Sequence, residues 1–129
     1  MKLFFLSEYL TALLNKDAEA VRSFFSDDAM ILWHNTNECF TPDEYAAVNA
    51  AYPSDWHAEV EHELRIGESD NELIIAACRI WSSKINASNH MISFIQVHRG
   101  YIVHIDEYWG EDGLPPEWRR QMRIGRPIS

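Results

Sequence analysis

The chain has 129 residues, of which 47% are hydrophobic and 24% charged, and its formal net charge is −9. That length and balance suit one globular domain around a single core. The negative charge argues against nucleic acids and anionic membranes as partners, because phosphates would be repelled.

Only four apolar residues, Leu3, Phe4, Phe5 and Leu6, precede Ser7 and Glu8. That run is too short for a signal-peptide core or a membrane span, so a cytoplasmic protein is expected. Leu3, Leu6, Leu10, Leu13 and Leu14 recur at helical spacing and predict a helix over residues 2–16. A second helix is expected over 17–26, with Asp17 as cap and Ala20, Val21, Phe24 and Phe25 as its apolar stripe. Residues 29–35 read as a buried strand. Thr41-Pro42-Asp43-Glu44 is a helix start, with a Thr cap, Pro in the first position and acids in the first turn. That helix should run to Tyr52, with Pro53 ending it.

The period then changes. Residues 57–67 alternate, with Ala58, Val60, His62, Leu64 and Ile66 on one face and Glu59, Glu61, Glu63 and Arg65 on the other. Strands are expected over 73–82, 90–98 and 101–109, with turns at Asp70-Asn71, 86–89 and Arg99-Gly100. Helices followed by an antiparallel meander make an α+β fold. Beyond Gly110 the chain reads as irregular, with a short helix around 116–122. Its cluster of Arg119, Arg120, Arg123 and Arg126 reads as a solvated end.

Two cysteines, Cys39 and Cys78, make neither a disulfide framework nor a zinc set. No helical Glu-x-x-His or His-x-x-x-His, Gly-rich phosphate loop or Ser-His-Asp signature occurs. No metal or cofactor is therefore expected.

Tyr9-Leu-Thr-Ala-Leu-Leu-Asn-Lys-Asp17, Phe24-Phe25-Ser26-Asp27-Asp28-Ala29 and Val97-His-Arg-Gly100-Tyr-Ile-Val-His-Ile-Asp-Glu-Tyr-Trp-Gly110 together resemble the NTF2-like superfamily. Its members include ketosteroid isomerases, SnoaL-like polyketide cyclases and limonene epoxide hydrolases. The resemblance covers about residues 3–110. It implies a cone in which N-terminal helices pack on a curved, mostly antiparallel sheet, as a domain over 1–110 with a tail over 111–129. At the positions of the three ketosteroid isomerase groups stand Trp33 (base), Tyr9 (oxyanion tyrosine) and Ser93 (protonated aspartate). Only the tyrosine survives, and proton abstraction needs a base. At the places where limonene epoxide hydrolases hold their water stand Trp33-His34-Asn35 and Glu107; their Arg-Asp pair is not matched in register, although Arg79 lies on the equivalent strand.

Side chains alternate along a strand, and the resemblance turns the Trp33 face into the cone. That parity predicts an inner set of Ile31, Trp33 and Asn35; Ile75, Ala77, Arg79 and Trp81; Met91, Ser93, Ile95 and Val97; Val103, Ile105, Glu107 and Trp109; and His62. An apolar cavity with a few convergent polar groups is the usual small-ligand site. Glu107, Asn35 and Tyr9 are the catalytic candidates. Trp33, His62, Arg79, Trp81, Ser93 and Trp109 are the candidates for binding a small apolar or aromatic molecule. Each has a plainer role open to it: Arg79 and Glu107 as a buried ion pair, His62 and Tyr9 as core residues, the tryptophans as packing. Three functions follow: a SnoaL-like enzyme with acid/base chemistry through Glu107, a non-catalytic ligand-binding protein, or a dimeric interaction module. The strand over 73–82 is apolar on both faces, so Ile74, Cys78, Ile80, Ile92 and Phe94 are expected to form an outer patch that pairs two copies.

Overall fold

The computed structural model describes residues 2–68 and 70–128. The leucine spacing does form a helix, α1 (Leu6–Leu14), shorter than expected because Phe5 is already extended. It buries Leu6, Tyr9 and Ala12. In α2 (Ala18–Ser23), the Asp17 side chain accepts from the Ala20 amide, as its capping role requires. The strand that follows, β1 (Phe25–Trp33), starts four residues earlier than expected. Phe24 and Phe25 leave the helix, and Phe25 enters the core beside Tyr9 and Tyr45. A short strand that periodicity did not reveal, β2 (Glu38–Phe40), folds back on β1. Then α3 (Pro42–Ala51) opens on a complete capping box, Thr41 and Glu44 each binding the other's backbone amide.

The second half is a meander of four long strands: β3 (His57–Glu68), β4 (Asn71–Trp81), β5 (Ser88–His98) and β6 (Tyr101–Glu111). Arg99 and Gly100 both take positive φ in the tight β5–β6 turn. A Cβ at Gly100 would stand 2.5 Å from the Lys2 carbonyl oxygen, so only glycine fits there. The sheet order is β2-β1-β6-β5-β4-β3, all antiparallel except the β1–β6 pair. The three N-terminal helices lie over one face of this sheet, and the core sits between them. A short helix, α4 (Glu117–Arg120), follows in the tail.

Two bulges decide which residues meet that core. One lies on β3 between Val60 and His62, the other on β6 beside the Gln96/Val97 step of β5. A one-residue slip moves every later side chain to the opposite face. After the first bulge, Glu63 and Arg65 stand on the helical side, where Arg65 donates to the Phe4 carbonyl. Leu64 and Ile66 are thereby pushed outward, 58% and 54% exposed. The second bulge places Ile102 in the core, and Val103 lines the outer side of the sheet instead of the inner side expected of it.

Parity on β4 is the reverse of the expectation. Ile74, Ala76 and Cys78 are buried in the core, and Ile80 packs against it. Opposite them on β5 stand Ile95, Ser93, Met91 and Asn89. Ile75, Ala77, Arg79 and Trp81 face outward. The strand carries apolar residues on both faces, so its own sequence fixes no parity; its register with β5 does. Ile74, Cys78 and Ile80 therefore cannot form the outer patch expected of them.

This reversal predicts an order of stabilities in urea unfolding. Ile74→Ala should cost about 2–5 kcal/mol, as for a fully buried isoleucine, and Ile75→Ala about half that or less. The opposite order would restore the parity read from sequence.

Candidate functional site

Five elements bring polar groups to one place under the helices. Glu107 on β6 is 4% exposed. Trp33 on β1 donates its indole Nε1–H to Glu107 Oε1 at 2.9 Å. Ser93 on β5 donates its hydroxyl to Glu107 Oε2 at 2.6 Å. Both donors are placed by the ladder: Glu107 is the direct register partner of Trp33 on one side and of Ser93 on the other. From α3, the Tyr45 hydroxyl also stabilises the Glu107 charge. From α1, the Tyr9 hydroxyl donates to that of Tyr45 at 3.4 Å. A polar line thus runs Tyr9–Tyr45–Glu107 through an aromatic core.

The electrostatics are set by burial. Glu107 has no ion-pair partner among the described residues. Desolvation therefore raises its carboxyl pKa, and the Ser93, Trp33 and Tyr45 donors offset this in part. The Tyr9 and Tyr45 phenols are pushed well above their usual range by burial first and by the Glu107 charge second. Both remain neutral donors at any working pH. Burial also pushes the Cys78 thiol up to about 11, which makes it a small apolar wall and not a nucleophile.

The aromatic shell is dense. Trp33 makes edge-on contacts with Phe40, Tyr45, Tyr52 and Trp109, at centroid distances of 4.9–6.4 Å. Tyr52 and Trp109 reach toward solvent, and Trp56 adds a further ring beside Tyr52. The rings above Glu107 pack on one another. Two open clefts of about 400 and 300 Å³ lie away from Glu107, lined mostly by outer-face residues such as Ala77, Ile92 and Tyr108 in the first and Ile66, Leu73 and Gln96 in the second.

The structure gathers Tyr9, Trp33, Ser93, Glu107 and Trp109 on the core side. It separates the others. Asn35 lies past the end of β1, and both ends of its amide hold the Trp109 backbone: Nδ2 donates to the carbonyl at 2.6 Å, and Oδ1 accepts from the amide at 2.9 Å. It extends the β1–β6 ladder as a backbone mimic. His62 is exposed on the outer face, because the β3 bulge turns it there. Arg79 and Trp81 also face outward. Arg79 lies over the Trp81 ring at 4.5 Å, and His57 stacks on the same indole at 5.6 Å. The buried Arg79–Glu107 pair considered from sequence does not form.

Tyr45 is the member that sequence reasoning missed. Its signal was present: Pro42, Tyr45 and Ala46 fall at i, i+3 and i+4 of a capped helix, and all three are buried. Among the described residues no group of three or more His, Cys, Asp and Glu is placed to hold a metal ion, and no helix is long and apolar enough to cross a membrane.

Glu107→Gln should reveal the protonation state. The unfolded chain loses this proton near 4.5, whereas the folded protein holds it to a higher pH. Stability that is full below 4.5 is therefore lost as pH rises through the folded pKa. Gln keeps the shape and escapes this loss. Thermal melts should show parent and variant alike near pH 4, with the variant gaining on the parent as pH rises from there through the folded pKa. A difference that does not change with pH would mean that folding leaves the Glu107 pKa where it stands in the unfolded chain.

No protein-family model matches the chain, and no curated protein matches it. Solved structures do. A ketosteroid isomerase candidate from Kribbella flavida superposes with a TM-score of 0.74 at 19% identity, over 95% of this chain and 87% of that one. An NTF-2 like protein of unknown function from Burkholderia xenovorans gives 0.72 at 21% identity, over 96% and 92%. An LEH-like epoxide hydrolase from M. tuberculosis gives 0.61 at 13% identity, over 81% and 79%. Helices packed on a curved, six-stranded, mostly antiparallel sheet, together with these superpositions, establish that the chain has the NTF2-like α+β fold.

Proposed function

We propose that this protein is a small-molecule enzyme in which the Glu107 carboxyl moves a proton to or from an oxygen of an apolar substrate. One observation carries the reading. Glu107 is a buried carboxyl held by neutral donors and by no cation. A carboxyl taken out of water without a counter-charge costs stability. A glutamine would accept the same Trp33 or Ser93 hydrogen bond without that cost, so packing alone gives no reason for the acid. A carboxyl pKa raised by burial suits general acid/base work.

In this reading Glu107 enters the reaction protonated and donates to a carbonyl or epoxide oxygen. Ser93 and Trp33 orient it, and Tyr45, backed by Tyr9, holds the carboxylate left behind. The half-exposed Tyr52 and Trp109 part to admit a flat apolar substrate against Trp33. One neighbour in fold, from M. tuberculosis, is an LEH-like epoxide hydrolase, which makes epoxides a substrate class to try. A panel of cyclic ketones and epoxides tests it. Turnover should fall by about 10²–10⁴ in Glu107→Gln, the usual contribution of a general acid, with the fold intact. Turnover that survives the substitution removes Glu107 from the chemistry.

A second property is proposed from the outer face of the sheet. Leu64, Ile66, Ile75, Ala77, Ile92, Phe94 and Tyr108 form neighbouring rungs there, and Ile92 and Tyr108 are 43% and 45% exposed. A contiguous apolar surface marks an interface. Two copies related by a two-fold axis would bury it against itself. Ile92 and Phe94 keep the role expected from sequence; Leu64, Ile75 and Tyr108 take the places of Ile74, Cys78 and Ile80. Light scattering should give twice the 15.0 kDa chain mass, and Ile92→Glu should return it to one chain, because a charge buried there would have no partner. A parent protein that is monomeric at micromolar concentration sinks the pairing.

A further inference from the structure

We infer that the C-terminal arm of one copy docks on the outer sheet face of a second copy, with Trp118 seated in the larger cleft; the inference rests on the outer-face pairing proposed above. Three observations meet here.

The first is the arm itself. Asp112 is still tied to the sheet, through its amide to the Ser88 carbonyl and its carboxylate to Ser88 and His90. From 113 to 128 the hydrogen bonds of the arm are all local. Yet this stretch carries Leu114, Trp118, Met122, Ile124 and Ile128, each more than half exposed, with Leu114 at 81% and Trp118 at 63%. Trp118 and Met122 are four residues apart and so share one side of α4 and its following turn. A row of bare apolar side chains on a helical turn is a surface without its cover.

The second is the cleft. On the outer face, Ala77 is small and Gly110 has no side chain, while Ile92 and Tyr108 stand high beside them. A Cβ at Gly110 would meet nothing within 4 Å. The result is an open cleft of about 400 Å³ with Glu61 and His90 at its rim. It is apolar at the floor, and its edge is mixed but acidic on balance: Glu61, Glu59 one rung away and Asp112 beside His90 stand against Arg79, the register partner of both Glu59 and His90. The arm has the complementary make-up: Trp118 flanked by Arg119 and Arg120, with Arg123 and Arg126 beyond, against the single acid Glu117. An aromatic ring for the floor and guanidinium groups for the rim is the composition of an interface anchor.

The third is direction. Pro115 and Pro116 link the sheet to α4, and Pro116 is extended at φ −62, ψ 154. Such a pair is a stiff spacer and does not fold back within a few residues. It carries Trp118 away from its own sheet. The six residues from Asp112 to Trp118 span up to roughly 20 Å, enough to cross to a sheet stacked about 10 Å away.

Mixed cross-linking of the full chain tests this. One population carries Gln121→Cys on the arm, another Glu59→Cys beside the cleft, and both carry Cys39→Ser, since Cys39 is exposed. They are mixed, equilibrated and treated with oxidised glutathione. Docking in trans gives a covalent product containing one chain of each variant, and adding Trp118→Ala to the arm chain removes most of it. Absence of the mixed product, or a product that Trp118→Ala leaves undiminished, overturns the inference. So does a chain carrying both cysteines that closes on itself as a monomer. Light scattering on the same samples separates the two proposals: a dimer mass without the cross-link sinks the arm alone, and a monomer mass sinks both.

Discussion

The hydrogen-bonded rung Trp33–Glu107–Ser93 is the constraint on which the rest of the structure depends. It joins the parallel β1–β6 pair to the antiparallel β5–β6 pair at one buried position. A carboxyl at that depth is tolerated only if its oxygens find donors, and here the donors come from both neighbouring strands. The helices complete the arrangement, because Tyr45 on α3 must arrive with its hydroxyl toward the carboxyl and Tyr9 on α1 with its hydroxyl toward that of Tyr45. The capping box that starts α3 and the extended backbone at Phe5 that delays α1 are therefore not local details. They set where two phenols meet one acid.

Much of the fold is legible in the residues. Leucine spacing, the Asp17 cap, the Thr41–Glu44 box and the Arg99-Gly100 turn each state their element through a local rule, and each element is there. The inner residues of β5, Met91, Ser93, Ile95 and Val97, also follow from alternation, since polar residues on the other face, His90, Gln96 and His98, give that strand contrast. The β4 strand offers no contrast. Leu73 to Ala77 are all apolar, and which of them is buried depends on a long-range register and not on anything in the strand. On β3 the alternation is plain but misleading, because a bulge at Glu61 reverses it halfway. His62, Leu64 and Ile66 read as inner residues and stand outside.

The candidate site divides along the same line. Glu107, Ser93 and Trp33 were readable because each lies on a strand whose phase is fixed by its neighbours. His62, Arg79 and Trp81 were misplaced because they lie on the two strands whose phase is not. Asn35 shows a different limit. Its parity and the family resemblance make it a catalytic candidate, but a side-chain amide has the same donor and acceptor as a peptide group, and here it substitutes for one. Nothing in the sequence distinguishes an asparagine that binds a ligand from one that finishes a ladder. Tyr45 was overlooked for the converse reason: a tyrosine in the first turns of an otherwise ordinary helix is a packing residue until another hydroxyl and a buried acid are found beside it.

The two faces of the sheet are linked through β6. Successive residues alternate between them, so Asp106 and Tyr108 stand on the outer side of the strand that carries Glu107 on the inner side. The outer residues are themselves well held. His34 stacks on Tyr108 at 4.3 Å and binds Asp106 at 2.7 Å, and His104 binds the other oxygen of Asp106 at 2.9 Å. These contacts tie β1 to β6 from outside, as Trp33 and Glu107 tie them from inside. A cover over the outer face would lower the local dielectric around this second set and stiffen the pair of strands further. The separation of Trp33 from Glu107 is then fixed from both sides of one ladder. An apolar outer face therefore bears on the inner site even though no outer residue touches it: it is the back of the strands that hold the acid in place.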